Sequence, residues 1–399
     1  MLKEHLVSNG FLWGPEHSPY GVAGFMTYGP MGKALKTNME QQFREVFIDE
    51  GFDEIETPVL YPRKAWEASG HLQKFNDEMF QTQTSDGQAL MGRGELATTI
   101  YPLFRRLLEY YRGNLPFRVF QSGIVLPNDR QTEWQTRTRQ YTGHEGHIFM
   151  QTKDVDVAAT VDYLQHLSYV LMNSVGIKEG SMNFREKIES DKPFYANKAF
   201  GLYVPDEDGN EMELLGIQYR SSYDFKRHSL ATGTKLEVNG KYPEVFEISF
   251  SSDRPFYIAL GQALEKIGDR VVLHLPERLA PVQGMVFPLK KTPELHNMSI
   301  LVSELLKEYG IRTPILETGS IGSRYRKADG IGVPYVFTAD EEGVKNDSVT
   351  IRQRDSRLQT SMYLDDIRTF LENASRAIPS NELMGKLFET GQVNTDLWK

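Results

Sequence analysis

The sequence predicts an α+β domain, built on an antiparallel sheet flanked by helices, followed by a smaller α/β domain. Three observations support this prediction. The chain has 399 residues, which exceeds the length at which a single core stops growing. Strand-like segments dominate its middle, and strands alternate with helices after about residue 280. We expect the first domain over residues 1–279, the second over 280–376 and a C-terminal tail over 377–399.

The first domain is expected to begin with a helix and an interrupted extended segment. Apolar residues recur at helical spacing between residues 32 and 49, which predicts an amphipathic helix. Segment 51–62 is strand-like but contains Pro58, and proline within a sheet is confined to edges and bulges. An edge strand needs cover, so we predict a homodimer in which a second copy provides it.

The middle of the chain is predicted to form the sheet. Segments 117–126 and 141–150 are extended and flank a polar stretch that is too long for a tight turn. They therefore predict a β-hairpin with a long loop. A helix is expected over 155–175, and further strands over 211–219 and 245–250.

The last part of the chain alternates between strand and helix patterns, which is typical of a compact α/β domain. Its expected strands are 283–289, 314–317, 334–338 and 348–353, and its expected helices are 293–308 and 361–373.

Composition excludes several kinds of site. The chain contains no cysteine, so disulfides, thiolate zinc sites and cysteine nucleophiles are excluded, and any metal must bind through oxygen or histidine. There is no run of eighteen apolar residues and no signal-peptide pattern at the start, so we expect a cytoplasmic protein without a membrane partner. The net charge of -9 leaves only a local basic patch for binding nucleic acid.

A family resemblance is distributed over most of the chain. The segments that carry it are 20–25, 28–30, 51–58, 69–71, 216–220, 247–254, 279–281, 320–325, 332–334 and 349–355. In this order they resemble glycyl-tRNA synthetases of the archaeal and eukaryotic type, with 51–58 similar to class II motif 1 and 247–254 similar to motif 3. The resemblance implies a class II aminoacyl-tRNA synthetase catalytic domain followed by an anticodon-binding-type domain.

The resemblance also implies a pocket for glycine. Its residues would be Glu95, Glu145, Arg220, Glu247 and Ser249, all of the family's residue type. A site for a small zwitterion needs carboxylates for the ammonium group and a cation or hydroxyl for the carboxylate group. Considered singly, each charged residue could equally be solvated or ion-paired at the surface.

For ATP, the resemblance implies Asp129, Arg137, Tyr141 and Arg254, with Arg137 and Arg254 as catalytic residues and Tyr141 at the position of the aromatic residue that stacks on adenine. Phosphoryl chemistry depends on positioned cations, which suits the two arginines. The alternative is a core tyrosine among surface arginines. Mg²⁺ is expected to accompany ATP, and Glu213 and Glu247 are its candidate ligands.

Segment 126–129 departs from the family, which has an arginine where this chain has Pro127. In the family that arginine contacts the α-phosphate, and losing such a donor commonly lowers the rate about a hundredfold to a thousandfold. The first glycine of the family's motif 3 is also missing, since Ser251 and Ser252 stand before Asp253. The chain is therefore a divergent paralogue in which either the chemistry is lost or Arg130 or Arg139 substitutes.

Two histidines of the second hairpin strand are predicted to be structural. His144 and His147 are three residues apart, so their side chains should lie on opposite faces of the sheet. A shared metal ion is then not expected.

The α/β domain contains basic residues that could bind tRNA or another nucleic acid. Interleaved with Tyr325, they suit phosphate contacts and base stacking. Acidic residues lie among them, so an ordinary mixed-charge surface is the alternative. The basic residues are Arg324, Arg326, Lys327, Arg352 and Arg354.

Two functions remain open at this point. One is a glycine–tRNA ligase that condenses glycine with ATP to glycyl-adenylate and transfers it to tRNA. The other is a catalytically inactive paralogue that binds nucleic acid or serves a polymerase, as the accessory subunit of mitochondrial DNA polymerase does. The glycine pocket favours the ligase, and Pro127 favours the inactive paralogue.

Overall fold

The computed structural model describes residues 1–75, 79–374 and 380–395. Its helices are α1 (Leu2–Ser8), α2 (Pro30–Asp49), α3 (Arg63–Ser69), α4 (His71–Phe75), α5 (Phe104–Tyr110), α6 (Val157–Ser174), α7 (Tyr223–Thr232), α8 (Asp253–Ala263), α9 (Pro293–Glu308), α10 (Ile321–Gly330), α11 (Glu341–Asn346), α12 (Leu364–Ala374) and α13 (Ser380–Thr395). Its first nine strands are β1 (Leu12–Trp13), β2 (Thr27–Tyr28), β3 (Asp53–Glu54), β4 (Leu60–Pro62), β5 (Gln81–Gln83), β6 (Ala89–Gly92), β7 (Phe117–Val125), β8 (Tyr141–Met150) and β9 (Asn183–Glu186). The others are β10 (Lys198–Pro205), β11 (Glu211–Ser221), β12 (Glu244–Ser251), β13 (Leu264–Ile267), β14 (Arg270–Leu273), β15 (Gly284–Pro288), β16 (Tyr335–Ala339), β17 (Ser348–Gln353) and β18 (Gln359–Tyr363).

The chain divides into two compact units that are discontinuous in sequence. The sheet unit comprises Trp13–Thr27 and Met39–Gly261, and the C-terminal unit comprises Met1–Leu12, Tyr28–Asn38 and Gln262–Lys399. No described helix is long and apolar enough to cross a membrane.

The sheet unit is built on seven strands in the order β3-β7-β8-β12-β11-β10-β9. Only β3 runs parallel to its neighbour, and the other described pairs are antiparallel. The predicted hairpin with a long loop is confirmed as β7 and β8, paired from Phe117↔Phe149 to Val125↔Tyr141. The predicted antiparallel sheet with flanking helices is therefore confirmed.

One face of this sheet is apolar because side chains alternate along each strand. Helix α2 covers that face with Phe43 and Phe47, whose rings contact Phe250 and Phe120 at centroid distances of 4.9 and 4.8 Å. The opposite face is apolar only at one end, where Phe149 packs with the helices. Its other end carries the polar residues of the candidate site.

The segment with Pro58 differs from the expectation of one continuous strand. Residues Asp53–Glu54 form the edge strand β3, and Leu60–Pro62 form β4 in a separate three-stranded sheet. Pro58 lies between the two strands. Proline cannot donate a ladder hydrogen bond, so the chain leaves one sheet before it and enters another after it.

The C-terminal unit contains a four-stranded sheet in the order β15-β16-β17-β18. Strands β15 and β16 are parallel, whereas the other two pairs are antiparallel. Helix α9 has the predicted bounds, because Thr292 caps it by accepting a hydrogen bond from the Leu295 N–H and Pro293 occupies its first position.

Four details of this unit differ from the prediction. Segment 314–317 contributes only an isolated bridge between Ile315 and Val286. The helix expected at 361–373 begins at Leu364, because β18 occupies the residues before it. Helix α10 was not among the predicted helices. Most of the expected tail is helix α13, with residues 377–379 and 396–399 outside the described residues.

Candidate functional site

The polar end of the sheet forms the floor of a cavity of about 340 Å³. Cross-strand neighbours on this floor are Glu145↔Ser249, His147↔Glu247, Glu247↔Gln218 and Ser249↔Gly216. Residues of the β7–β8 loop and of α8 form the opposite end of the cavity. The lining includes Glu95, Pro127, Asp129, Arg137, Tyr141, Glu145, Tyr195, Glu213, Gln218, Glu247, Ser249 and Arg254.

Two glycines on the cavity floor have no side chain to occupy the space above the sheet. A Cβ on Gly143 would lie 2.7 Å from Val125 Cγ2, and one on Gly216 would lie 2.6 Å from Gln218 Nε2. Neither position accepts a side chain without displacing a neighbour. The polar floor therefore stays open beside the carboxylates.

Buried carboxylates surround Arg220 at one end of the cavity. The guanidinium donates to Asp224 at 2.8 and 3.0 Å and to Glu247 at 2.8 Å, and it lies 3.6 Å from Glu95. Arg220 is fully buried, and the ring of Tyr195 covers it at 3.8 Å. Arg220 is thus committed to carboxylates of the protein, so the predicted glycine-pocket residue acts by holding them in place.

The pKa values of these carboxylates diverge. Burial raises the pKa of Glu95, but His71 and Arg220 lower it more strongly, so the pKa falls well below its usual value. Burial likewise raises the pKa of Glu247, and Arg220 and His147 reverse the shift. For Glu145, burial and the neighbouring Glu247 and Glu95 raise the pKa well above its usual range. The Leu96 N–H and Arg220 lower the pKa of Glu145 only in part.

Glu145 and Ser249 face each other on the cavity floor. Glu145 Oε1 accepts a hydrogen bond from the Leu96 N–H at 3.0 Å. Its Oε2 atom is buried and has no hydrogen-bond partner among the described residues. Ser249 donates to Gln218 Oε1 at 3.3 Å. Of the five residues predicted to bind glycine, Glu95, Glu145, Glu247 and Ser249 line the cavity. The fifth, Arg220, is buried beneath them.

The residues predicted to bind ATP meet at the other end. Arg254 donates to the Thr136 carbonyl at 3.1 Å and the Glu213 carbonyl at 2.8 Å. Arg137 pairs with Asp129 at 2.9 Å and keeps 47% of its side chain exposed. Both arginines line the cavity together with Asp129 and Tyr141.

The two proposed substitutes for the missing arginine are placed elsewhere. Among the described residues, neither Arg130 nor Arg139 belongs to the cavity lining. Arg139 donates to the carbonyls of Asp129 at 2.9 Å and Ala23 at 3.0 Å, which fixes the loop. Arg137 is the arginine of this loop that faces the cavity.

Both predicted magnesium ligands line the cavity. Glu247 pairs with Gln218 on β11 and accepts a hydrogen bond from Arg220 at 2.8 Å. Glu213 Oε1 lies close to Gly216 on the same floor, and Glu213 forms an ion pair with Lys187 at 2.6 Å. A magnesium site at these two carboxylates stays a prediction.

The two histidines lie on opposite faces, as predicted. His144 bonds Ser122 and Ser252, both at 2.8 Å, on the face covered by α2. His147 lies on the cavity face and bonds Glu247 at 3.1 Å. Two carboxylates, Glu145 and Glu247, flank His147, which the spacing of the histidine pair does not reveal.

Other residues of the site were also missed. They are His71, Tyr195, Gln218 and Asp224, which contact or cover the buried carboxylates and Arg220. Alternation along β11 could have indicated Gln218, since it shares a face with Gly216 and Arg220. His71 lies in segment 69–71, which carries the family resemblance, whereas nothing in the local pattern indicated Tyr195.

Three of the five predicted nucleic-acid contacts are corrected. Arg324 is buried and donates to the carbonyls of Pro288 and Leu316, and Arg352 is buried in an ion pair with Asp329. Arg354 is buried as well and bonds the carbonyls of Gly332 and Leu275. These arginines satisfy buried acceptors of the C-terminal unit, so they cannot reach a phosphate in this conformation. Arg326 and Lys327 are exposed on α10 and remain candidates.

Comparison with known proteins reveals relatives that align with most of this chain. Residues 283–374 match the anticodon binding domain family. The glycine–tRNA ligase of Methanothermobacter thermautotrophicus is 25% identical, covering 91% of this chain and 96% of its own. That of Pyrococcus furiosus is 24% identical, covering 92% and 97%. The first alignment spans 545 positions, so this relative has internal segments that the 399-residue chain lacks.

Solved structures show the same architecture. A prolyl-tRNA synthetase from Cryptosporidium parvum, complexed with L-proline and AMP, has a TM-score of 0.69 at 17% identity and covers 98% of this chain and 77% of its own. The Giardia lamblia prolyl-tRNA synthetase in complex with prolyl-adenylate has a TM-score of 0.73 at 17% identity, with 98% and 80% covered. At this identity the likeness concerns the fold alone.

Proposed function

We propose that this chain, a homologue of the archaeal glycine–tRNA ligases with the class II aminoacyl-tRNA synthetase fold, activates glycine with ATP and transfers it to tRNA. The observation that carries the proposal is one cavity with two contrasting ends. Buried carboxylates occupy one end, and Arg137 and Arg254 occupy the other. An amino acid fits this arrangement. Its ammonium group would bind at the carboxylate end, and its carboxylate would meet the phosphate of ATP at the arginine end.

The carboxylate end suits the ammonium group of an amino acid. Glu95, Glu145, Glu247 and Asp224 cluster around Arg220. An ammonium group carries three donors and a positive charge. It would satisfy Glu145 Oε2 and offset the excess of negative charge, which is costly in a buried site.

The same end suits a small amino acid. Gln218 is buried, accepts the Ser249 hydroxyl and fills the space above Gly216. On this side of the cavity a substrate side chain would have to displace the hydrogen-bonded Gln218, so glycine is favoured.

At the other end, one carboxylate oxygen of glycine would attack the α-phosphorus of ATP, and pyrophosphate would leave. We assign Arg254 and Arg137 to the phosphate groups and Tyr141 to the adenine ring. When bound, Mg²⁺ neutralises phosphate charge, and Glu213 is the carboxylate that would hold it. Pro127 offers no side-chain donor and no N–H, so we expect adenylation to be slower than with an arginine there.

The remaining assignments complete the proposal. We assign residues 1–279 to the catalytic domain and 280–376 to the tRNA-contacting domain, with Arg326 and Lys327 as its exposed cations. We further propose a cytoplasmic homodimer.

The decisive experiment is glycine-dependent ATP–pyrophosphate exchange by the purified full chain. Wild type should exchange with glycine, and Glu145→Gln and Arg254→Ala should each lower the rate about a hundredfold. Arg185→Ala, which removes an exposed ion pair with Glu211, is the control and should match wild type. No exchange with glycine, combined with nucleic-acid binding, would favour the inactive paralogue.

A further inference from the structure

We propose that a buried chain of hydrogen-bonded side chains fixes the first turn of α8 and thereby positions Arg254 at the cavity. The chain runs through Ser122, His144, Ser252 and Glu40. None of these four belongs to the described lining of the cavity, so they are positioning residues. That Arg254 then binds ATP rests on the proposed function, whereas the fixation of α8 does not.

The chain has one direction of donation. The Ser252 hydroxyl donates its single hydrogen to Glu40 Oε1 at 2.9 Å. Its bond of 2.8 Å with His144 Nε2 must therefore be donated by the imidazole ring. In a neutral imidazole the other nitrogen, Nδ1, then accepts from the Ser122 hydroxyl at 2.8 Å. Each hydroxyl and both ring nitrogens have a partner, and the carboxylate of Glu40 fixes the tautomer of His144.

The chain lies in apolar surroundings on the face of the sheet that α2 covers. His144 and Ser252 are 0% and 1% exposed. The imidazole ring contacts the rings of Phe43 and Phe250 at centroid distances of 5.2 and 4.9 Å. An apolar side chain would fill this space without needing partners, whereas a fully satisfied polar network holds one fixed arrangement. The chain therefore adds positional order to the packing.

Ser252 transmits this order to α8, which begins at the next residue. Its N–H donates to the Thr142 carbonyl at 2.8 Å, and its carbonyl accepts from the Phe256 N–H at 3.0 Å, which closes the first turn. A serine before a helix commonly caps it with the hydroxyl, but here the hydroxyl bonds Glu40 and His144 instead. The start of α8 is thus tied both to the sheet and to α2.

Arg254 is the second residue of α8, so its position depends on where the helix starts. Its guanidinium donates to the carbonyls of Thr136 and Glu213 at 3.1 and 2.8 Å and lines the cavity. Asp253 accepts from the Thr138 hydroxyl at 3.1 Å, so the β7–β8 loop joins the same turn. A shift of the turn by about 1 Å would move the guanidinium, and misplacements of this size can lower a rate about a hundredfold.

The first test follows amide hydrogen exchange in the purified full chain by mass spectrometry. Ser252→Ala removes the hydroxyl that joins His144 to Glu40, and His144→Phe keeps an aromatic ring but makes neither hydrogen bond. We expect both variants to exchange about tenfold faster than wild type in residues 252–260, because local opening of the first turn becomes easier. Exchange elsewhere in the sheet unit should stay as in wild type.

Glu40 offers a matched pair of variants. Glu40→Gln keeps an oxygen that accepts the Ser252 hydroxyl and should behave like wild type, whereas Glu40→Leu removes the acceptor and should behave like Ser252→Ala. The control for losing a buried hydroxyl is Ser168→Ala, whose hydroxyl bonds the Leu164 carbonyl within α6. It should leave the exchange of residues 252–260 unchanged.

The second test measures binding of a non-hydrolysable ATP analogue and of glycine by calorimetry. Ser252→Ala and Glu40→Leu should weaken binding of the analogue about tenfold, as expected when a charge-assisted contact is misplaced. Glycine affinity should be unchanged, because the carboxylate end of the cavity does not depend on α8. A purely structural role would not separate the two ligands.

Wild-type exchange of residues 252–260 in a folded Ser252→Ala variant would overturn the proposal. So would exchange that rises equally throughout the sheet unit, since that reports lost stability, or faster exchange in α8 with unchanged affinity for the analogue. If His144→Phe does not fold, Ser252→Ala decides, because it removes a single oxygen atom. A wild-type chain that does not bind the analogue would contradict the proposed function, whereas hydrogen exchange decides the fixation of α8 by itself.

Discussion

Arg220 is the cation around which the carboxylates of the site are arranged. Breaking a buried ion pair by removing one partner typically costs about 3–5 kcal/mol, because the other charge stays buried. We expect Arg220→Met to lower the free energy of unfolding by about that amount and Arg220→Met with Asp224→Leu to recover part of it. Denaturant unfolding followed by aromatic circular dichroism measures this.

The control is Arg185, whose bidentate pair with Glu211 is exposed. Arg185→Met should leave the unfolding curve unchanged, since exposed pairs contribute little. An Arg220→Met variant as stable as wild type would show that the buried cluster does not depend on its guanidinium.

Pro127 should limit the rate of the proposed reaction. It lines the cavity next to Asp129, so an arginine placed there would point towards bound phosphates. We expect Pro127→Arg, alone or with Asp129→Glu, to raise glycine-dependent pyrophosphate exchange about a hundredfold. Arg137→Ala should lower exchange, because Arg137 faces the cavity. Unchanged rates in both variants would mean that neither position contacts the phosphates.

Within the C-terminal unit, helix α1 is joined to the end of α10 by a histidine that the fold keeps neutral. His5 Nε2 donates to the Gly330 carbonyl at 2.6 Å, and Nδ1 accepts from Asn9 at 3.3 Å. Burial lowers the pKa of His5 below 6.5, and the bond to Gly330 only partly opposes this. The folded state therefore binds the proton less readily than the unfolded state.

The sign of the pH dependence follows from this lowered pKa. The stability contributed by neutral His5 is complete above about pH 6.5 and is lost as pH falls below that value towards the folded pKa. We expect the thermal midpoint to fall less steeply with acid in His5→Gln than in wild type. His17→Gln, at a partly exposed histidine, serves as control, and equal slopes in all three proteins would contradict the role of His5.

The basic residues of helix α10 lie on two faces, one buried and one exposed. Arg324 faces inward, whereas Arg326 and Lys327 face solvent. If the two exposed residues contact tRNA phosphates, replacing both with alanine should lower the salt dependence of tRNA binding by about two units, one for each lost contact. Filter binding at several salt concentrations measures the slope, with Lys307→Ala on α9 as control. A slope equal to that of wild type would leave α10 without a role in binding.

The assembly state follows from the edge of the large sheet. Strand β3 is the last of the described strands on its side, and it pairs only with β7 within that set. An exposed sheet edge is usually covered, and a two-fold symmetric copy is the commonest cover. We expect light scattering at micromolar concentration to give twice the mass of the 45.7 kDa chain. A monomer would contradict the homodimer.

The order of segments along the chain does not reveal which of them pack together in one compact unit. Residues Met1–Leu12 and Tyr28–Asn38 belong with Gln262–Lys399, although most of the sheet unit separates them in sequence. Hydrophobic periodicity reports only which face of an element is buried. It does not say against which distant element that face packs.

The sequence by itself determined the antiparallel sheet, the hairpin β7–β8, the helices α2, α6, α9 and α12 and, through the family resemblance, nine residues of the cavity lining. These follow from periodicity, turn residues and motif segments, which are local properties. It misjudged the segments around Pro58, Ile315 and α10, where short elements depend on their neighbours.

Only the tertiary structure decided which charges are free. It buried Arg220, Arg324, Arg352 and Arg354 among acceptors supplied by distant segments. It also brought His147 and Glu145 beside Glu247. A charged residue looks the same in sequence whether it meets solvent, a ligand or a buried partner, because its environment is set by strand register and packing.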